Sequence, residues 1–266
     1  MVINMRLALK IENAAGDVLG SAFGEDEVIF VYDPEYRQGD QLVLECDTQE
    51  VYLVVQLDDG IPPAFAYLRD SQYRLPIPFG EKNSSYSPRA FAGERHVLSA
   101  RSAAESEIRA RKNLALNPLD SHENTSLFPH ASANVETRGE AVFAARNAID
   151  GVKANNSHGP WPYQSWGINQ NPYAEWKIEF GREVLIDEAV FYLRSDFPHD
   201  AWWKQVTLSF SDSTHLDVLL EKTSKPQKIL FSPRTVHWIL LHKLLKADDP
   251  SPFPALTQVE FYGVEI

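Results

Sequence analysis

Short hydrophobic segments recur about every ten residues along the first half of this chain, each stopped by turn-forming residues. Residues 5–12 alternate with period two, as a half-buried strand does, and 27–32, 41–46, 50–57, 64–68 and 73–79 continue the series. Asp33-Pro34, Gln38-Gly39-Asp40, Asp58-Asp59-Gly60 and Pro62-Pro63 separate them. A segment that short covers an apolar face only by pairing with neighbours and stacking on a second sheet. The expectation is an all-β chain whose first hundred residues, 1–100, form a β-sandwich of unassigned role. Pro76 and Pro78 lack N–H donors, so the last strand of the series belongs at a sheet edge.

Residues 102–112 break the pattern. Ser102 stands in an N-cap position, glutamates follow, and arginine and lysine gather at the end, which complements a helix dipole. The expectation is a short helical linker over 101–112. Beyond it, 113–266 returns to strands: 131–136, 176–180, 184–194, 205–210, 215–220, 227–231, 236–242 and 257–262. A helix-like turn over 141–149 leads into Asp150-Gly151, and prolines stiffen 248–254. About eight strands with long connections suit a jelly roll.

Four pieces of this second half, in this order, carry a resemblance. They are Ala144-Ala-Arg-Asn-Ala-Ile-Asp-Gly151, Ser165-Trp166-Gly167, Ala174-Glu-Trp-Lys-Ile-Glu-Phe-Gly181 and Glu260-Phe-Tyr-Gly263, after an opening Asn113-Leu-Ala-Leu-Asn-Pro118. Together they resemble the discoidin, or coagulation factor 5/8 C-type, family of galactose-binding-like domains, which includes many bacterial carbohydrate-binding modules. The resemblance implies a jelly roll that binds through loops at one end and does not catalyse. It also implies a structural Ca²⁺ held by Asp150, Ser165 and Glu260 with loop carbonyls, since calcium takes six to eight oxygens. The ammonium of Lys153, in the loop between, must point away from such an ion. Animal members commonly carry a disulfide. This chain has only Cys46, in the apolar run 42–46, so it sits closer to the bacterial branch and Cys46 reads as core.

Two loops combine rings with polar side chains. One is His158-Gly-Pro-Trp161-Pro-Tyr163-Gln-Ser-Trp166. The other is Arg194-Ser-Asp196-Phe-Pro-His199-Asp200-Ala-Trp202-Trp203. Sugars need that mixture, because a ring covers the C–H face of a pyranose while arginine, histidine and carboxylates bond its hydroxyls. The candidate ligand residues are His158, Trp161, Tyr163, Arg194, Asp196, His199 and Trp202. Trp166 and Trp176 are assigned to packing, and so is one of Trp202 and Trp203, since strand neighbours point opposite ways. Trp238 alternates with Val236 and Leu240, which places it in the core.

The net charge of −12 and a pI near 5.1 argue against nucleic acid and anionic membranes as partners. The chain shows no Gly-x-Ser-x-Gly, His-Glu-x-x-His, Cys-x-x-Cys or glycine-rich phosphate loop, so no enzyme class is signalled. Asp196, His199 and Asp200 are close enough in sequence to form an acid–base group or a metal site. With no signal-peptide pattern at the start and no long apolar run, cytoplasmic residence is the default expectation. Three functions stay open: glycan recognition, a protein-interaction module using the same loops, and a hydrolase or lyase with its site between the halves.

Overall fold

Among the described residues, seventeen strands account for nearly all the regular structure. In the first half these are β1 (Arg6–Glu12), β2 (Val18–Glu25), β3 (Glu27–Tyr32), β4 (Gln41–Cys46), β5 (Val51–Gln56), β6 (Ala64–Leu68), β7 (Gln72–Pro76) and β8 (His96–Ser102). The second half holds β9 (Lys112–Asn113), β10 (Leu127–Phe128), β11 (His130–Ala133), β12 (Trp166–Gly167), β13 (Trp176–Leu193), β14 (Trp203–Phe210), β15 (His215–Leu219), β16 (Gln227–Lys246) and β17 (Ala255–Glu265). The structure is a computed structural model and describes residues 5–156, 158–195 and 201–266. No helix among the described residues is long and apolar enough to cross a membrane.

Two sheets built from the first half, with β10 added from the second, face each other, ordered β2-β1-β4-β7 and β10-β6-β5-β8-β3. Their inner faces meet in a core of Leu7, Leu9, Ile11, Leu42, Leu44, Leu53, Val55, Leu75 and Leu98, all essentially sealed from solvent. Sealing one such side chain is worth about 1.5–3 kcal/mol. Strand alternation decides which residues enter: in β3, Val28, Phe30 and Tyr32 are buried while Ile29 and Val31 face out. The proline-bearing β7 lies at a sheet edge, and Cys46 is buried.

The second half is one eight-stranded sheet, ordered β12-β17-β13-β16-β14-β15, with β11 added to β13 and β9 to β17. It rolls over a core containing Trp166, Trp176, Trp203, Phe180, Phe191, Phe210 and Phe261, giving a jelly-roll sandwich. Two expected strand pairs fuse here. The segments 176–180 and 184–194 are one 18-residue strand, and 227–231 and 236–242 belong to one of 20 residues. Such long strands must bend to serve both layers. Gly181 makes one bend at φ +72°, with the Phe128 ring packed against it.

Three expectations are corrected. The linker helix is only α1 (Glu105–Arg109), because β8 pairs with β5 as far as Ser102 and removes that residue from any cap. Glu107 closes the helix start instead: its carboxylate accepts from the Ala104 N–H and from the Arg101 guanidinium. Trp238 is half-buried on the outer face, with the Lys177 ammonium 5.6 Å from its ring centre. The register of β16 against β13 shifts between Val236 and Trp238, so the inward positions become Val236, Ile239 and Leu241. Finally, β2 and β8 occupy segments to which the sequence pattern assigned no strand.

The halves are tied together. β10 pairs with β6, the Tyr52 hydroxyl donates to Glu265 at 3.2 Å, and Arg182 donates to both oxygens of Glu265 at 2.5 and 2.9 Å. The same guanidinium lies over the rings of Tyr52 and Tyr67.

Candidate functional site

Antiparallel pairing decides which loops can meet. Leu193 at the end of β13 pairs with Leu256 at the start of β17, Gly167 of β12 pairs with Ala255, and Trp203 at the start of β14 pairs with Lys246 at the end of β16. The segments after β12, after β13 and before β17 therefore emerge at one end of the sandwich. Between them, with the turn after β11, lies a cavity of about 350 Å³, within the range of small-ligand sites. Its wall includes Thr137, Phe143, His158, Asn169, Arg194 and Phe253.

Arg194 organises this end. It is 2% exposed, its N–H donates to the Ala255 carbonyl, and its guanidinium lies 5.6 Å from the centre of the Tyr163 ring. Guanidinium nitrogens only donate, so the His158 ring nitrogen 3.1 Å from Nη2 is an acceptor. Tyr163 packs edge-on against Phe143, whose other neighbour is the Arg138 guanidinium at 5.5 Å. Arg138 is itself held by Glu140 through two hydrogen bonds of 2.5 and 2.7 Å. Burial raises the Tyr163 hydroxyl above its usual range, and Glu140 pushes the same way.

On the opposite wall, Asn169 and Gln170 adopt left-handed conformations (φ 48° and 60°). The Asn169 N–H donates to Thr137 Oγ1 at 2.9 Å, which binds this turn to the one after β11. Gly167 lies at that junction, where a Cβ would stand 2.7 Å from the same hydroxyl. Phe253 is 47% exposed and held in the proline loop before β17. The lining thus has ring faces, amides and basic donors around one hollow, which suits a polyhydroxylated ligand with an apolar face.

The candidate residues distribute unequally. His158, Tyr163 and Arg194 come together. Trp202 is half-buried against the jelly-roll core. Trp161, joined to Pro162 by a cis bond, lines a separate cavity of about 260 Å³ between the halves, with Ile61, Pro62, Tyr86 and Arg146. Asp196, His199 and Asp200 lie outside the described residues. Phe143, Asn169 and Phe253 carry no local sequence signal beyond the proline-rich loop that holds the last.

The three residues assigned to calcium do not fit that ion. Asp150 is buried, and both its oxygens accept from N–H donors: Oδ1 from Val152 at 2.8 Å and Gln258 at 2.6 Å, Oδ2 from Gln164 at 3.0 Å. Burial raises its pKa to about 6, against the lowering effect of Arg146. Glu260 Oε1 is 2.5 Å from the Lys153 ammonium, and its Oε2 accepts from Tyr192 and Tyr262. The Ser165 hydroxyl is buried without a partner among the described residues. Donors converge on both carboxylates, where a cation needs oxygens. Lys153 points toward Glu260 and not away, supplying the positive charge from the chain itself.

A further cleft, of about 450 Å³, lies between the halves and is lined by Glu81, His122, Glu123, Glu136 and Arg146 among others. Here Glu81 accepts from the Ala141 N–H at 2.8 Å and Glu136 from the Ala145 N–H at 2.7 Å. Arg146 is buried beneath the Tyr86 ring and donates to the carbonyls of Asp120 and Pro118.

No family profile matches the chain, and no curated protein sequence matches it. Among solved structures, it is similar to chitosan-binding module 1 of a chitosanase/glucanase from Paenibacillus sp. IK-5, at 18% identity over 57% of this chain and 99% of that one, with a TM-score of 0.38. It is also similar to a family 32 carbohydrate-binding module of C. perfringens in complex with galactose, at 16% identity over 50% and 91%, TM-score 0.38. A fucose-binding module of Streptococcus pneumoniae is similar at 15% identity over 58% and 99%, TM-score 0.42.

Proposed function

We propose that this chain is a non-catalytic saccharide-binding protein whose site is the loop-end cavity of the jelly roll. One observation carries the reading: a buried arginine, Arg194, presents its guanidinium to a hollow shared with His158, Asn169 and the exposed ring of Phe253. A saccharide stacks one face on Phe253 and takes hydrogen bonds from Arg194 and the Asn169 amide. His158, accepting from Arg194, orients the guanidinium. Affinity falls in the micromolar to millimolar range, because one stacked ring and a few hydrogen bonds leave little surplus over ordering costs.

The hollow also separates this reading from that of a protein-interaction module, which calls for a flat apolar face. A glycan array with the wild type, Arg194→Gln and Phe253→Ala tests it. Glycan signal lost in both variants, at unchanged melting temperature, supports the proposal; the absence of wild-type signal across the array moves the site to protein recognition.

The cleft between the halves favours a second reading, a hydrolase or lyase, because titratable residues from both halves meet there. Against it, Glu81 and Glu136 are engaged as caps of the 137–149 turns. Turnover of a glycan that survives Arg194→Gln and disappears with Glu136→Gln would establish the enzymatic reading.

A further inference from the structure

The first half holds a second constellation, away from the saccharide cavity. Asp58 and Asp59 stand in the turn after β5, and His96 opens β8. The imidazole and the two carboxylates bring ligand atoms within 4.8 Å of one another. Gly60 keeps this turn pressed on the 89–91 segment, where a Cβ would stand 2.6 Å from Ala90 backbone. Backbone donors fix the carboxylates as well: the Gly60 N–H donates to Asp58 Oδ1 at 2.8 Å and the Val97 N–H to Asp59 Oδ1 at 3.3 Å.

The hydrogen bonds of His96 decide what its ring can do. Nε2 is 3.0 Å from the Gly93 carbonyl, an oxygen that only accepts, so Nε2 carries hydrogen. Nδ1 then faces Asp58 Oδ2 at 3.2 Å, with His96 2% and Asp58 1% exposed. A neutral ring would aim its lone pair at a buried carboxylate, an arrangement that needs a positive charge between them. A ring nitrogen tied to a backbone carbonyl while the other faces carboxylates is the usual support of a metal-binding histidine.

Tyr36 adds an independent sign. It is 6% exposed, its ring is stacked on His96 with centroids 3.9 Å apart, and its hydroxyl is buried with no partner among the described residues. Asp59 is exposed and gives the site an opening to solvent.

We infer that Asp58, Asp59 and His96 Nδ1 form a binding site for one divalent transition ion of the zinc class, with the Tyr36 ring stacked on the imidazole. One imidazole and two carboxylates suit zinc, with water in a fourth position, and supply too few oxygens for calcium. In a tetrahedral site donors bound at about 2.0–2.2 Å lie about 3.3–3.6 Å apart, so ligand atoms that now lie within 4.8 Å of one another close by up to about 1.5 Å around the ion. The ion clamps the turn after β5 to the start of β8.

Isothermal titration of the full, chelator-stripped chain with zinc chloride tests this, with the wild type, Asp59→Asn and His96→Gln compared. The inference expects one ion per chain at micromolar affinity or tighter, a higher melting temperature with zinc, and at least about a tenfold loss in Asp59→Asn. Cobalt in place of zinc should give a visible absorption band that His96→Gln lacks. Asp59 is exposed, so its variant keeps the fold and remains informative if His96→Gln does not fold. No stoichiometric binding, or equal affinity in Asp59→Asn, overturns the site.

Discussion

Replacing Lys153 tests whether this chain supplies its own cation beneath the binding loops. Glu260 is 4% exposed and the Lys153 side chain 44%, with 2.5 Å between their charged atoms. Removing one partner of a fully buried ion pair costs about 3–5 kcal/mol, whereas an exposed pair is worth about 0–1 kcal/mol. This pair stands between those limits, since solvent screens the ammonium and the hydroxyls of Tyr192 and Tyr262 still donate to Glu260 at 3.3 and 3.4 Å. Lys153→Met should therefore cost about 2 kcal/mol, a fall of about 4–8 °C in melting temperature for a unit of this size. Glu260→Gln should cost about 1 kcal/mol or less, because the amide keeps an acceptor and Lys153 can turn to water. In the double variant the two losses should fall short of their sum by about 1 kcal/mol. Thermal melts of the four proteins, with and without millimolar CaCl₂, measure this. Additive losses, or a wild-type melting temperature raised by calcium, would refute the reasoning.

Gly181→Ala should destabilise by about 2–5 kcal/mol in chemical unfolding, because φ is +72° and the new Cβ would stand 2.4 Å from the Phe128 ring. Trp161→Ala should lower stability by about 1–2 kcal/mol by opening the cavity between the halves, and leave saccharide affinity in titration calorimetry unchanged. His130 gives a pH dependence. Burial alone would lower its pKa, but the hydrogen bond and charge of Asp120, 2.8 Å away, raise it above 6.5. Its stabilising contribution is thus complete below about pH 6.5 and lost as pH rises through the folded value. Unfolding free energies measured from pH 6 upward should decline less steeply in His130→Gln than in the wild type.

Strands with one buried face were legible in the sequence. β3, β4 and β6 run where the alternation placed them, because a register slip would turn their apolar residues to solvent. β2 was not legible: Val-Leu-Gly-Ser-Ala-Phe-Gly-Glu has no fully buried residue, and Phe23 is 71% exposed at a sheet edge. Nor was β8, whose inward residues are His96, Leu98 and Ala100, a set that alternation in hydrophobicity does not flag. Trp238 changed sides through a register shift that only pairing with β13 creates. At the candidate site, the mixture of rings and basic groups marked His158, Tyr163 and Arg194. Phe253 and Phe143 join them through strand pairing across more than half of this domain, which local composition does not encode. The direction of Lys153 depended on Glu260, a partner brought close by the final strand.

The central claim is that a sugar occupies the hollow at the loop end of the jelly roll. Amide and side-chain NMR spectra recorded during titration with the best saccharide from an array locate it directly. The account predicts saturable shifts confined to Thr137, His158, Asn169, Gln170, Arg194 and Phe253. Shifts centred on Tyr86, Glu136 and Arg146, with those six unmoved, would contradict it.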